Sequence, residues 1–349
     1  MSVVHRVKQA VFRRLRRLAG PLTHGRGAIL CQHRVLPESE KSPISVPRDL
    51  ELSTGHFASV LDMLSRQGCE FVPLDGLTDR LSQAGRRRLI AVTLDDGYRD
   101  NLTVALPLFE RFGVPFTVYI TPGLLDGTVD PWWYSLQTLL LGRQTAILPG
   151  SPPTSLPCDT PADREAAYRA LYRQVVDAGA GRLAVLEAIW RANGLDAPPP
   201  AAPGLFLTWD ELRDLAAHPL ATIGAHTLTH PRLIWLDPAG IVAELRGSRE
   251  RLEQEIGRPV RHVAYPHGSE RDMPPGIAQL AREAGFETGT TTIPRCLSPS
   301  DRDRVWTLPR KALPGHGEDL DIADRMLRGW DDRFDPRLRR RLEATKTFC

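Results

Sequence analysis

Cysteine is scarce in this chain: Cys31, Cys69, Cys158, Cys296 and Cys349 are five among 349 residues, with no Cys-x-x-Cys pair. An odd, widely spaced set argues against a disulfide framework and against a thiolate zinc site, and fits a reducing compartment. Long apolar runs are missing too. No stretch reaches the ~18 residues of a membrane span, and the N-terminal segment lacks the ~7–15-residue apolar region of a secretory signal. The expectation is therefore a cytoplasmic protein. No charge sign dominates, since 45 Lys and Arg stand against 42 Asp and Glu. That balance gives no general attraction to nucleic acid, and none is expected as a partner.

Acidic residues are absent from residues 1–26, which carry Arg6, Lys8, Arg13, Arg14, Arg16, Arg17 and Arg26. Val4, Val7, Val11, Leu15 and Leu18 recur there at helical spacing, so residues 1–27 read as a basic amphipathic helix. It suits either a terminal helix packed on its own domain or peripheral contact with an anionic membrane surface.

From residue 28 to about 317, short apolar runs alternate with longer amphipathic ones. The strand-like runs are 29–33, 71–74, 89–94, 115–121, 221–226, 260–266, 286–292 and 305–309. Thr208 and Glu211 form a capping-box pattern, and Gly257 and Gly285 stand where helix C-caps belong. About seven to eight strands with crossover helices imply an α/β protein whose parallel sheet closes into a distorted (β/α) barrel. A segment of different texture, about 124–204, interrupts the rhythm with PWWYSLQTLLLG, a Pro-rich stretch at 149–161, helical patterns across 162–194 and PPPAAPG. It reads as a helical insertion, in which Trp132, Trp133 and Tyr134 are positioned either to line a sugar site or to pack its core. Residues 318–349 read as a helical tail. No internal repeat appears beyond the alternation itself.

Chemistry concentrates where strands end. In VTLDDGYRDN a buried-type strand stops at Leu94 and two adjacent carboxylates, Asp95 and Asp96, follow. In parallel α/β architectures active sites assemble at that end. Neighbouring carboxylates repel each other and lose solvation, so they call for a cation, an Arg or hydrogen bonds; the bland alternative is a turn that caps the next helix. IGAHTLTH then places His226 and His230 after another strand. The zinc-protease spacing needs Glu at 227, where this chain has Thr227, which disfavours that site. With Asp96 the two imidazoles complete a two-His, one-carboxylate set for a divalent ion, zinc first, with cobalt, manganese, nickel or iron as alternatives. HVAYPHGSE (262–270) ends a third strand in a turn whose backbone N–H groups suit an oxyanion. AILCQHRVLPE (28–38) puts His33 at the same rim. Arg310 and His316 follow the last strand.

The motifs VTLDDGYRDN, HTLTH and AYPHG, in this order and over roughly residues 28–310, resemble those of the polysaccharide deacetylase family, carbohydrate esterases sharing the NodB homology domain. The resemblance implies a distorted (β/α) barrel and metal-dependent removal of N-acetyl, sometimes O-acetyl, groups from an amino-sugar glycan or its precursor. It also implies Asp95 as general base, Asp96, His226 and His230 as metal ligands, and the backbone N–H around His267 as oxyanion donor. Three departures stand out. The family's Arg before the turn proline is Ala264, so Arg310 or Arg261 must hold the base. The family's turn tyrosine is His267. The late Leu-x-Leu-His motif that supplies the acid is replaced by LPRKAL, leaving His33, His267 and His316 as candidates. Other readings of the same residues are a glycan-binding module without turnover and a non-haem iron oxygenase, whose ligand set is alike but whose usual scaffold is all-β.

Overall fold

The computed structural model describes residues 25–83, 87–200, 202–315 and 318–329. The basic segment 1–24, His316 and the tail from 330 onward lie outside these residues. No helix among them is long and apolar enough to cross a membrane.

Eight strands form one sheet: β1 (Gly27–Gln32), β2 (Glu70–Phe71), β3 (Leu89–Leu94), β4 (Phe116–Ile120), β5 (Ala221–Ala225), β6 (His262–Ala264), β7 (Thr288–Thr290) and β8 (Lys311–Ala312). The spatial order is β7-β6-β5-β4-β3-β1-β8, with β2 beside the first residues of β3, and every pairing is parallel. Residues of β1, β3 and β4 are buried on both faces, as expected for strands covered by side chains inside and helices outside.

The two edges meet through the segment leading into β8. Leu308 forms a parallel bridge to Thr290 at the end of β7, and three residues later Lys311 pairs with Leu30 of β1. The mostly parallel sheet thus curls into the distorted barrel expected from the alternation. One strand assignment needs correction. Residues 305–309 are not a strand: Val305–Thr307 is a 3-10 turn, and Pro309, which has no N–H to donate, delays pairing until Lys311.

Helices α1 (Thr54–Arg66) and α2 (Leu106–Phe112) precede the interruption, α3 (Trp132–Leu141), α4 (Pro161–Asp177) and α5 (Arg182–Ala192) fill it, and α6 (Trp209–Ala217), α7 (Pro238–Ile256) and α8 (Ile277–Glu283) follow. In α1 the buried Phe57, Val60, Leu61 and Leu64 recur at intervals of three and four, giving the stripe that faces the barrel core. Phe57 meets Phe109 of α2 edge-on at 5.7 Å. Thr208 and Glu211 make the expected capping box on α6, and α7 ends on Gly257 at φ 64°. The last helix among the described residues, α9 (Leu320–Leu327), buries Ala323 and Leu327 in the barrel core.

The insertion builds a second core from Leu136, Leu139, Leu140, Tyr168, Leu171, Ile189 and Trp190, joined by Ile44 from outside it. An antiparallel hairpin pairs residues 145–148 with 154–157, so the Pro-rich stretch at 149–161 carries its turn and second strand.

Candidate metal centre and active site

β3 hands its backbone directly to the first carboxylate, since the Asp95 N–H donates to the Gln32 carbonyl at 2.8 Å. The chain then turns sharply: Asp96 has φ 74° and Gly97 φ 82°. β5 ends the same way, the His226 N–H donating to Ile120 O at 2.8 Å. The non-glycine residues with positive φ among the described residues are Asp96, Thr227, His230 and His267. All four belong to the three strand-end motifs, so left-handed backbone, which disfavours side chains, is concentrated at this rim. The His-x-x-x-His loop is held by Glu244 of α7, whose carboxylate accepts the Leu228 and Thr229 N–H groups at 2.8 and 2.9 Å and the Thr229 hydroxyl at 2.6 Å.

These turns bring Asp96, His226 and His230 together. Their ligand atoms lie within 4.8 Å of one another, with Asp96 Oδ1 at 3.5 Å from His226 Nε2 and 3.3 Å from His230 Nε2. Ligands at ~2.0–2.2 Å from a tetrahedral ion stand ~3.4 Å apart, which these separations match. His226 Nδ1 lies 2.8 Å from the Ala264 carbonyl, an atom that can only accept, so Nδ1 carries the proton and Nε2 presents a lone pair. Burial also pushes the His226 imidazolium down to about 4, keeping the ring neutral at ordinary pH. Two acceptors therefore face each other in a buried space, and Asp96 Oδ1 has no hydrogen-bond donor. A divalent cation is the partner this donor set fits.

Asp95 is built differently. Arg310, itself buried, clamps it in a fork, Nη1 to Oδ1 at 2.6 Å and Nη2 to Oδ2 at 2.7 Å. Thr291 O and Thr93 Oγ1 hold the guanidinium in turn, each at 3.1 Å. Burial pushes the Asp95 carboxyl upward, but Arg310, together with His226 and His33, outweighs it and leaves the group below the usual carboxylate range. Arg310 stands behind Asp95 and does not line the cavity. Arg261, the other candidate for this duty, pairs with Asp75 and Glu287 at the entry end of β6, away from the site.

A cavity lies over these groups. His33 and His267 both border it, with the His267 ring 5.4 Å from that of His230. The insertion contributes Trp132, Trp133 and Tyr172. Tyr134 does not reach it. Successive helical residues point about 100° apart, and Tyr134 instead turns to donate to Glu51 at 3.0 Å and accept from Arg34 at 3.2 Å. Sequence reasoning missed Tyr172, Leu50 and the buried network of Arg34 with Asp100 (2.7 Å) and Glu51 (3.4 Å). The nearest signals were Asp100 inside VTLDDGYRDN and Arg34 beside His33.

A family model described as polysaccharide deacetylase matches residues 82–289. No curated protein sequence matches the chain. Among solved structures, Streptococcus pyogenes deacetylase PplD in complex with acetate is similar over 86% of this chain and 97% of its own, at 14% identity and a TM-score of 0.55. IcaB from Ammonifex degensii covers the same shares at 19% identity and a TM-score of 0.53. The de-N-acetylase from Aggregatibacter actinomycetemcomitans matches 85% of this chain and 98% of its own at 14% identity, also with a TM-score of 0.53. At these identities the likeness concerns the fold.

Proposed function

Because the chain belongs to the polysaccharide deacetylase family, whose model matches more than half its length, we propose that it is a metal-dependent hydrolase removing acetyl groups, chiefly N-acetyl, from an amino-sugar-containing glycan or glycan precursor. The observation that carries this reading is the buried Asp96 carboxylate oxygen facing the two imidazole nitrogens with no donor of its own, beside a second carboxylate fixed by an arginine. Asp96, His226 and His230 would hold the ion, with zinc the first candidate. Bound there, a divalent ion supplies Lewis acidity that polarises the acetyl carbonyl and acidifies water.

Asp95 takes the proton of the attacking water. Its clamp by Arg310 keeps it ionised and aimed, two requirements for a general base. Backbone N–H at His267, turned by its left-handed φ of 62°, stabilises the oxyanion, a contribution of about 3–4 kcal/mol for a well-placed donor. The departing sugar amine needs a proton from an acid. His33 or His267, each bordering the cavity, fills that role on this reading. Trp132, Trp133 and Tyr172 offer the flat faces that suit a pyranose ring.

Acetate release from N-acetylhexosamine oligomers, after chelation and after resupply of zinc or cobalt, tests this function. Release that depends on the added ion is expected. Sugar binding without release on a broad panel would instead support a glycan-binding module.

A further inference from the structure

An internal residue of a polymer carries glycosidic bonds on two sides of its ring, so an enzyme that acts on it needs a groove open at both ends. Here the cavity is roofed. Asp95, Asp96 and His226 are each 2% exposed, and the lining residues Tyr172, Leu50 and Trp133 only 4%, 8% and 8%. The half-buried lining residues His33, Trp132, His230, His267 and Thr292 mark where the cavity meets solvent.

The roof comes from two stretches distant in sequence. Pro47 and Leu50 precede α1, while Trp132 and Trp133 on α3 and Tyr172 on α4 belong to the insertion. The stretches are fastened to each other. Ile44 is buried in the insertion core, and the Ser42 hydroxyl bonds to Gln137 of α3. Below them Glu51 accepts the Ser42 N–H at 2.5 Å and the Tyr134 hydroxyl at 3.0 Å, with Arg34 bridging Tyr134, Glu51 and Asp100. Asp100 lies in the same loop as the catalytic carboxylates, so roof and floor share one buried polar network.

We infer that this enzyme takes one sugar at a time, removing the acetyl group from the terminal residue of a glycan or from a single carrier-linked sugar, and leaves internal residues untouched. A terminal ring has one glycosidic bond, so the remainder of the molecule leaves through one mouth while Trp132, Trp133 and Tyr172 enclose the ring. This inference rests on the deacetylase reading.

The test uses the full chain supplied with zinc or cobalt and fully acetylated pentasaccharides of N-acetylglucosamine and of N-acetylgalactosamine, together with a simple glycoside of each single sugar. Tandem mass spectrometry of end-labelled products locates every free amine. Loss of acetyl from one terminal residue, and turnover of the single-sugar glycoside, are expected. Free amines at internal positions would overturn the inference while leaving the enzyme a deacetylase. No release from any of these probes would remove the deacetylase reading and this inference with it.

Discussion

Replacing Arg310 with methionine removes the fork that holds Asp95 while keeping much of the side chain's apolar length. Two charge-assisted hydrogen bonds, at 2.6 and 2.7 Å, disappear from a buried carboxylate. Each such bond contributes roughly 1.5–3 kcal/mol, and one pH unit corresponds to about 1.4 kcal/mol. In the wild type the arginine lowers the carboxyl against the upward push of burial, so its removal raises the group. A base must be ionised to accept a proton. The acid limb of the kcat/KM profile, which reports the free enzyme, should therefore move to higher pH, and activity lost at neutral pH should return partly as pH rises. Arg310→Lys keeps the charge without the planar fork and should give a smaller shift. Breaking a buried pair also costs roughly 3–5 kcal/mol of stability, so thermal unfolding fixes the temperature at which the variants are compared. A folded Arg310→Met enzyme with an unmoved acid limb would refute the assignment of Asp95 as a base positioned by Arg310.

Further expectations concern single residues. His226→Ala should abolish high-affinity cobalt binding measured by visible absorption, whereas Asp95→Asn should keep the ion and lose turnover. Of His33→Ala and His267→Ala, the variant lacking the acid should lose roughly 10²–10⁴ in rate and the other should stay near wild type; two unchanged variants would remove both from candidacy. Asp301 is pushed up by burial but held below the ordinary carboxylate value by Arg295 and the Ser298 N–H. A lowered folded pKa contributes stability above the unfolded value that is lost as pH falls through the folded one. Asp301→Asn should therefore flatten the acid decline in denaturation midpoint below about pH 4.

The barrel and its rim were legible because each motif follows a strand of one register. Asp95–Asp96 and His226 come directly after β3 and β5, and β4 alone separates those strands. The fork from Arg310 was harder to read. It spans 215 residues, and only the closing of β8 onto β1 distinguishes Arg310 from Arg261. The strand misread at 305–309 shows a hydrophobic pattern overridden by a proline. The roof was the least visible part. Ile44 and the 132–172 helices carry ordinary apolar patterns that do not name their partners, and Arg34, Glu51 and Asp100 look like surface charges until burial pairs them. Trp132, Trp133 and Tyr134 divide between the two roles open to them, the first two lining the cavity and Tyr134 buried, because three consecutive aromatics on a helix cannot share one face.

Titrating zinc into chelator-treated protein while following acetate release from an N-acetylhexosamine probe tests metal-dependent deacetylation most directly. Release should be absent at first and rise to a plateau at one ion per chain, and Asp96→Ala should stay silent throughout. Full release before any zinc is added, or an Asp96→Ala titration that follows the wild type, would contradict it.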